Sequence, residues 1–278
     1  MKRIDRGEFP SKYAFDWRDE PLLRVVEGEA FQLETDDALS GLIVDDTDDP
    51  PVHTFTGDHV KNLQVQWPPL YNPVVGPIYV EGCERGDTLA VEFDWIDPWR
   101  YGFSGILPGI GPLGDSLKWQ ECAEPRVQVI EHLPGPSGHT RDGKGKYSDQ
   151  LTWDLMPFCG TLACAPEREV FTSLLGQGPF GGNIDCRDIR AGHTIYLNAY
   201  HTGGLLYVGD MHGSQGDTEF TGIADETRAT IQLSCRVIKD RHAPCVRIEK
   251  PDSLVAVGIN LPMEHAVYDA CNNMMEWF

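Results

Sequence analysis

The chain has 278 residues, a length that can bury the core of one large domain or of two ordinary ones. Its formal net charge of −20 argues against nucleic acid and anionic membrane surfaces as partners, because their phosphates would be repelled. The content of 41% hydrophobic and 24% charged residues is that of a globular protein, and the 29 glycines and 20 prolines favour a turn-rich, largely β architecture.

The N-terminal segment MKRIDRGEFPSK carries basic residues with no apolar run behind them, so it lacks the pattern of a secretory signal. No stretch of the sequence approaches the ~20 apolar residues of a membrane span. The eight cysteines are scattered without a CxxC pair, which is typical of reduced, buried thiols. We therefore expect a cytoplasmic protein with no membrane partner.

Nine segments carry the alternating or continuous apolar patterns of β-strands. They cover residues 22–26, 30–34, 88–93, 126–130, 194–199, 205–208, 229–237, 246–249 and 254–258. Turns with a central glycine precede two of them, at 27–29 and 85–87, as expected for tight connections in a sandwich or barrel.

Two segments are predicted to be irregular. Residues 99–117 are rich in glycine, proline and aromatics, which suits a packed loop, and residues 134–149 are polar and glycine-rich, which suits a flexible loop. The second loop divides the chain into an N-terminal β-rich part, 1–133, and a C-terminal α/β part, 150–278. We expect the two parts to form one intertwined unit.

A helix is predicted at the end of the chain, over residues 262–277. Pro262 stands near its start, where a missing N–H costs nothing. Apolar residues recur there at spacings of four, three, four and three, as on one face of an amphipathic helix: Met263, Val267, Ala270, Met274 and Trp277. The fold predicted is mainly β (α+β), with a β-sandwich or barrel core and a C-terminal amphipathic helix.

The densest group of polar residues spans 207–219. An apolar strand runs into Gly209 and delivers Asp210 and His212 two residues apart, so that both point to one face if the chain stays extended. After a glycine-flanked turn, Asp217 and Glu219 repeat that spacing. Carboxylates and an imidazole are suitable ligands for a divalent metal, and a spare carboxylate could act as general base. The alternative is a polar turn whose side chains cap backbone groups.

A second candidate lies in the glycine-rich segment 178–185. Gly181 and Gly182 permit close backbone approach to a ligand. Asn183 can donate to a carbonyl oxygen, and Asp185 could bind a metal or accept a proton. The alternative is an ordinary glycine-rich turn.

A third candidate is Glu81, which ends a short apolar strand over 78–80 beside Gly82. A carboxylate at such a strand end can project into a cleft, although a solvated strand end is the alternative. No GxSxG, GxxxxGK[ST] or HExxH motif is present, which argues against a nucleophile elbow, a phosphate loop and a zinc-protease helix.

These segments resemble the acetamidase/formamidase family in blocks that keep the family's order: 72–81 (NPVVGPIYVE), 156–166, 181–185, 192–197 and 209–219. The last block, GDMHGSQGDTE, is similar to the family pattern G-D-x-H-A-x-Q-G-D-G-E, with Gly213 for Ala and Thr218 for Gly. Two departures stand out: residues 12–17 lack a histidine that many members carry, and members continue beyond the position of Phe278. We expect either a shortened member or a site completed differently.

The resemblance implies a mainly β fold with a smaller α/β portion, and a homo-oligomer, a dimer or larger. It implies hydrolysis of small amides, such as formamide and acetamide, to a carboxylate and ammonia with a bound divalent metal, zinc first and calcium second. Some relatives resemble lactam hydrolases, so a cyclic amide is an alternative substrate. A non-catalytic β-sandwich that binds a metal or a carbohydrate is the alternative from another class.

The resulting expectation assigns a role to each candidate residue. Asp185, Asp210 and His212 hold the metal, and Asn183 with the backbone of Gly181 and Gly182 binds the substrate carbonyl. The proton is carried by Glu81, Asp217 or Glu219. In particular, we expect Glu81, Asp185 and His212 to converge on one pocket.

Overall fold

The computed structural model describes residues 1–41, 67–106 and 126–278, together with Gly111 and Lys118. In these residues a short 3-10 helix covers Thr140–Asp142 and an α-helix, α1, covers Met263–Met275. The strands, in chain order, are β1 (Lys2–Ile4), β2 (Ala14–Phe15), β3 (Leu23–Val25), β4 (Phe31–Thr35), β5 (Val74–Val80), β6 (Thr88–Ile106), β7 (Arg126–Leu133), β8 (Lys144–Ser148), β9 (Leu151–Asp154), β10 (Phe158–Cys164), β11 (Phe171–Thr172), β12 (Gln177–Gly178), β13 (Gly181–Asn183), β14 (Thr194–Asn198), β15 (Leu206–His212), β16 (Glu226–Ile238), β17 (Arg247–Glu249) and β18 (Leu254–Ala256).

Sixteen of these strands form one sheet, whose main path runs β12-β13-β10-β15-β16-β6-β14-β17-β18. Most neighbours are antiparallel, while β1–β4 and β3–β5 are parallel pairs. The mainly β prediction is therefore confirmed. Strand β6, from the N-terminal half, pairs with both β14 and β16, so the two halves of the chain share one sheet.

Two long strands shape the sheet by changing partners along their length. The 19-residue β6 pairs with β16 along most of its length, and also with β14 near its start and with β7 from Tyr101. The 13-residue β16 pairs with β15 at its start and then with β4, while β6 pairs with it throughout. The alternating residues of these strands pack into the main core, which includes Phe31, Leu33, Leu89, Val91, Ile231 and Leu233.

The nine predicted strands all overlap observed strands, because the period-two apolar pattern reports which face of a strand is buried. Each of the two segments predicted to be irregular contains regular structure in part. Residues 99–106 continue β6, and the rest of 99–117, apart from Gly111, lies outside the described residues. The segment 134–149 contains the 3-10 helix and β8, which pairs with β7 and β9. Glycines and polar residues in an edge hairpin look like a loop in sequence.

The terminal helix is confirmed as α1, but its packed face differs from the predicted one. Met263 and Val267 are exposed, whereas Asn273 is the fully buried residue of the helix. The Asn273 amide donates to the carbonyls of Val246 and Val257, and its Oδ1 accepts from Arg247. A polar residue thus docks the helix. The described residues contain no helix long and apolar enough to cross a bilayer.

Candidate functional site

Four adjacent strands bring together polar residues that are far apart in sequence. The order β13-β10-β15-β16 places Asn183 opposite Thr161, and His212 opposite Glu226. Asp210 lies two residues before His212 on β15, and Asp185 follows β13. Cross-strand neighbours in a sheet have side chains about 5 Å apart, so the polar ends of these strands form one site.

The site contains one imidazole and four carboxylates. Asp185, Asp210 and His212 each offer a ligand atom within 4.8 Å of the other two, and His212, Glu219 and Glu226 form a second such group. His212 Nε2 lies 3.3 Å from Glu226 Oε2 and 3.6 Å from Asp210 Oδ1. All three metal ligands expected from sequence therefore converge, and Glu219 joins them.

The backbone at the site is unusual in three places. Asn72, Asp185 and Asp210 have φ angles of 51°, 51° and 56°, in the left-handed region. Asp and Asn enter this region more readily than other side chains, although such residues cost of order 1–3 kcal/mol each when held there. Asp210 adopts it within a strand, and its carboxylate lies close to Asp185 and His212. Backbone strain of this kind gathers at functional sites.

Gly160 on β10 leaves the space that the two aspartates occupy. A Cβ atom built there would lie 2.7 Å from Asp185 Oδ1 and 2.8 Å from Asp210 Oδ2. Real Cβ atoms do not tolerate such contacts with oxygen. A side chain at position 160 would therefore displace both carboxylates.

Several buried polar atoms of the site have no hydrogen-bond partner among the described residues. They are Asp185 Oδ1, Asp210 Oδ1, both ring nitrogens of His212, Gln215 Oε1 and Glu226 Oε2. Buried polar atoms are nearly always paired, and leaving one unpaired costs about 1–3 kcal/mol. Their gathering around one point is the arrangement that a bound cation would satisfy. The donor set, an imidazole with carboxylates, fits a divalent metal.

The pKa values of the ionisable side chains in the site are shifted, because the side chains are buried and several carboxylates lie close together. Burial, with repulsion from Asp210, raises the pKa of Asp185 well above its usual range. Burial also raises the pKa of Glu219, and that of Glu226 to about 8. Burial alone would lower the pKa of His212, but the Glu226 and Asp210 carboxylates hold it well above its ordinary value. A divalent cation at this point would relieve the repulsion.

A cavity of about 60 Å³ opens onto these carboxylates. Asp185, Asp210, Glu219 and Glu226 form its polar side. The opposite wall is apolar and consists of Leu39, Tyr71, Phe103, Leu174 and Ile223. Small ligand sites usually combine an apolar wall with a few convergent polar groups.

Leu39, in the apolar wall, belongs to a turn that Asp37 stabilises. Asp37 Oδ1 accepts from the backbone N–H groups of Leu39 and Gly41, each at 3.0 Å, and Arg228 Nε lies 3.4 Å from Asp37 Oδ2. Burial raises the pKa of Asp37 to about 6, with Asp36 adding to the rise and Arg228 opposing it.

This raised pKa predicts a pH-dependent stability. The folded chain binds the Asp37 proton more tightly than the unfolded chain does. The contribution of this proton to the free energy of unfolding is therefore fully present below pH 3.8, and it is lost as the pH rises through 6. Relative to Asp37→Asn, the wild type should lose about 2 kcal/mol of unfolding free energy between pH 4 and pH 7. Urea unfolding of both proteins across that range measures the change. A constant difference would contradict the prediction.

Glu81 does not join the cluster, so the expected convergence of Glu81 with Asp185 and His212 is wrong. Val74 on β5 pairs with Gly209 on β15, and the strands are antiparallel, so Glu81 and His212 lie at opposite ends of the pair. They are about 30 Å apart along the strands at roughly 3.3 Å per residue. The Glu81 side chain is 48% exposed, and Arg24 Nη1 lies 3.6 Å from it. The solvated strand end is the correct interpretation.

Asp217 is also outside the cluster. Its side chain is 89% exposed and forms an ion pair with Arg187. Glu219, two residues later, turns into the cavity. The equal spacing of Asp217 and Glu219 therefore does not mean a shared role, because the segment between them is not a strand.

The predicted substrate-binding residues have separate positions. Asn183 lines the cavity, and its Oδ1 accepts from Thr161 Oγ1 at 2.7 Å while its Nδ2 donates to the Leu174 carbonyl at 2.8 Å. Gly181 and Gly182 instead lie between β10 and β12, where Cβ atoms would collide with the carbonyls of Leu162 and Gly176. Their absent side chains serve strand packing, and the described lining of the cavity does not include them.

Sequence reasoning missed four contributors to the site. Asn72 Nδ2 donates to Asp210 Oδ2 at 3.1 Å, and Thr161 Oγ1 lies 3.2 Å from the same oxygen. Gln215 Nε2 donates to the Asp185 carbonyl at 3.0 Å, and Glu226 faces His212. One signal was present for Glu226: an acidic residue that opens a long apolar strand is unusual unless it has a polar partner.

Known proteins are similar to this chain in sequence and in fold. The acetamidase/formamidase family model matches residues 17–177 and 176–256. A formamidase of Methylophilus methylotrophus is 27% identical over 267 residues, which cover 80% of this chain and 63% of that protein. The chain spans about three fifths of the length of the curated relatives it matches.

Two solved structures extend the comparison. An acetamidase from Bacillus halodurans has a TM-score of 0.82 and 27% identity, covering 99% of this chain and 84% of that chain. An acetamidase from Yersinia enterocolitica has a TM-score of 0.84 and 26% identity, covering 99% of this chain and 79% of that chain. On the match to the family model, the chain belongs to the acetamidase/formamidase family.

Proposed function

We propose that this protein hydrolyses the C–N bond of small neutral amides to a carboxylate and ammonia, with a divalent metal. The observation that carries the proposal is the group of unpartnered carboxylate and imidazole atoms beside a small, half-apolar cavity. The relatives named for formamide and acetamide hydrolysis point to the same chemistry.

Asp185, Asp210 and His212 are the proposed metal ligands. Zinc accepts imidazole and carboxylate ligands together, whereas calcium takes six to eight oxygens, so we propose zinc ahead of calcium. Held by these residues, a zinc ion would supply Lewis acidity, which would make a water molecule more acidic and polarise a carbonyl. Asn72 orients Asp210 by donating to its Oδ2 atom, and the Thr161 hydroxyl lies beside the same oxygen. Gln215 fixes the backbone of Asp185.

Glu219 is the proposed proton carrier. It lines the cavity, is only partly buried, and belongs to the same group as His212 and Glu226. Its raised pKa suits a group that takes a proton from water and returns it to the departing amine near neutral pH. Glu226 is fully buried and accepts from the Ala224 N–H, so we propose that it stays in place beside His212 and does not carry the proton. Asn183 lines the cavity, where the second N–H of its amide can donate to the substrate carbonyl.

The cavity limits the substrate. The cavity is small, and its described lining combines carboxylates with apolar side chains, which favours a small neutral amide. We propose that the apolar side chains contact the acyl group of the substrate. We therefore propose formamide and acetamide as substrates and rank lactams, which carry a ring, below them.

Two measurements on the purified protein test the function. Metal analysis should find bound zinc, and ammonia release should be fastest with formamide or acetamide and slow with a five-membered lactam. Exhaustive chelation should abolish the reaction, and added zinc should restore it. Metal binding without hydrolysis of any amide would support a non-catalytic binding protein. Full activity after chelation would remove the metal from the mechanism.

Gly160→Ala provides a further test, because it adds one methyl group against Asp185 and Asp210. Displacement of both carboxylates should weaken zinc binding by at least about tenfold. Mutation of residues that orient metal ligands reduces metal affinity by a similar factor. Gly216→Ala is the matched control, since of the described residues a Cβ there meets only the Thr218 carbonyl, at 3.6 Å. Titration of the metal-free proteins with zinc measures both affinities. Equal affinities would show that position 160 does not shape the site.

The compartment and the assembly are proposed on other grounds. Seven cysteines lie in the described residues as free thiols, most of them buried, which fits a reducing cytoplasm.

Exposed apolar side chains gather around α1, including Leu261, Met263, Val267, Tyr268 and Met275. Such a surface suits burial between subunits, so we propose a homo-oligomer, a dimer or larger. Light scattering that finds only monomer would contradict it.

A further inference from the structure

A second buried polar pair lies next to the proposed metal site. His132 on β7 and Asp225, which immediately precedes β16, have side chains that are 0% and 3% exposed. His132 Nε2 lies 3.1 Å from Asp225 Oδ1 and 3.2 Å from Oδ2. Neither residue belongs to the sequence blocks that resemble the family, and the proposed mechanism gives neither a role.

The His132 ring is held from both of its nitrogens. Nδ1 lies 2.5 Å from the Trp99 carbonyl, which can only accept, so Nδ1 carries a hydrogen and donates it. Nε2 is then the nitrogen that Asp225 engages. Because the two contacts lie on opposite sides of the ring, neither can be lost without leaving a buried polar group unpaired.

The surrounding backbone is shaped to the pair. A Cβ atom at Gly213 would lie 2.6 Å from Asp225 Oδ2 and 3.2 Å from His132 Cε1. A Cβ atom at Gly102 would lie 2.9 Å from His132 Cε1 and collide with Asp225 Oδ1. Glycine therefore stands within β6 and directly after β15, where the pair packs against the backbone, and the position of Asp225 is closely determined.

Asp225 connects directly to the site residues. The Gly213 N–H donates to the Asp225 carbonyl at 2.8 Å, and the Asp225 N–H donates to the Ser214 carbonyl at 3.1 Å. Gly213 follows His212 in the chain, and Asp225 precedes Glu226. Since Glu226 Oε2 lies 3.3 Å from His212 Nε2, a shift of Asp225 would move both partners of that contact.

We propose that His132 is a positioning residue for the metal site: through Asp225 it holds Glu226 and His212 in register across β15 and β16. The inference rests on the proposed function, because the site it supports is the proposed metal site. Without His132, Asp225 would keep the Ser214 hydroxyl, which donates to its Oδ2 at a long 3.4 Å. A buried carboxylate held by this weak contact would shift and would carry the start of β16 with it.

Two variants separate the contacts of His132. In His132→Gln the side-chain amide nitrogen can replace Nε2, so the contact with Asp225 is kept and the contact with the Trp99 carbonyl is lost. In His132→Asn the amide nitrogen can replace Nδ1, so the contact with the Trp99 carbonyl is kept and the contact with Asp225 is lost. Each variant leaves one buried group unpaired, and His132→Asn should lose more thermal stability, because a buried carboxylate without its partner costs more than a carbonyl. His132→Asn should bind zinc roughly 10–100-fold more weakly, while His132→Gln should stay within a few-fold of the wild type.

The kinetic and exchange measurements complete the test. For amide hydrolysis, His132→Asn should lower kcat more than it raises KM. In the metal-free proteins, the Gly213 and Asp225 amides should exchange hydrogen faster in His132→Asn than in His132→Gln. Equal zinc affinities and equal exchange rates in the two variants would overturn the proposal and leave the pair a packing feature. A wild type that neither binds zinc nor hydrolyses amides would refute the proposed function, while the exchange rates would still decide the role of His132.

Discussion

His212→Ala should lose most of the bound zinc and nearly all amide hydrolysis. His212 is shared by both groups of candidate ligand atoms and is the one imidazole in them, so its removal leaves only carboxylates that repel one another. Mutation of a residue that only supports a metal ligand weakens metal binding by roughly 10–100-fold. The loss of zinc affinity in His212→Ala should be larger, because a ligand itself is removed. Zinc titration of the metal-free variant and ammonia release at saturating amide measure the two effects.

His193→Ala is the matched control for this variant. His193 is also buried, and its Nδ1 lies 2.8 Å from the Asp188 carbonyl, yet it belongs to neither candidate ligand group of the described residues. The control should lose stability but keep zinc and turnover in the folded protein. If His212→Ala retained zinc with the affinity of the wild type, the assignment of the site would be wrong.

Glu219→Gln should keep the metal and lower turnover by roughly 10²–10⁴-fold, the usual contribution of a positioned general base. The amide fills the space of the carboxylate but cannot take a proton from water. Because Glu219 is not among the three proposed ligands, zinc affinity should change little. Single-turnover rates of the zinc-loaded protein with acetamide separate this loss from slower substrate binding.

Asp217→Asn is the control for the base, two residues away in the same segment. Its side chain is solvent-exposed and paired with Arg187, so turnover should stay near that of the wild type. Glu226→Gln tests the other carboxylate of the group. If Glu226→Gln kept zinc and lost more turnover than Glu219→Gln, the proton would be carried by Glu226 instead.

Much of the fold could be predicted from local patterns. Alternating apolar residues predict strands because a half-buried strand buries every second side chain, and the long β16 follows that pattern through Ile231, Leu233 and Cys235. Strand β10 was missed because all seven of its residues are buried and their sequence does not alternate. The pattern at the terminal helix predicted the helix, but not that Asn273 would dock it.

The site shows the same division. The sequence by itself determined a mainly β fold, the family, and the short block that carries Asp210 and His212, because neighbours on one strand need no other part of the chain to bring them together. Only the tertiary structure decided that Glu226 and Asn72 join them, that Glu219 turns inward while Asp217 does not, and that Glu81 lies at the far end of β5. The reason is strand register: partners from distant segments meet only through pairing, and a shift of one residue would turn each side chain to the opposite face of the sheet.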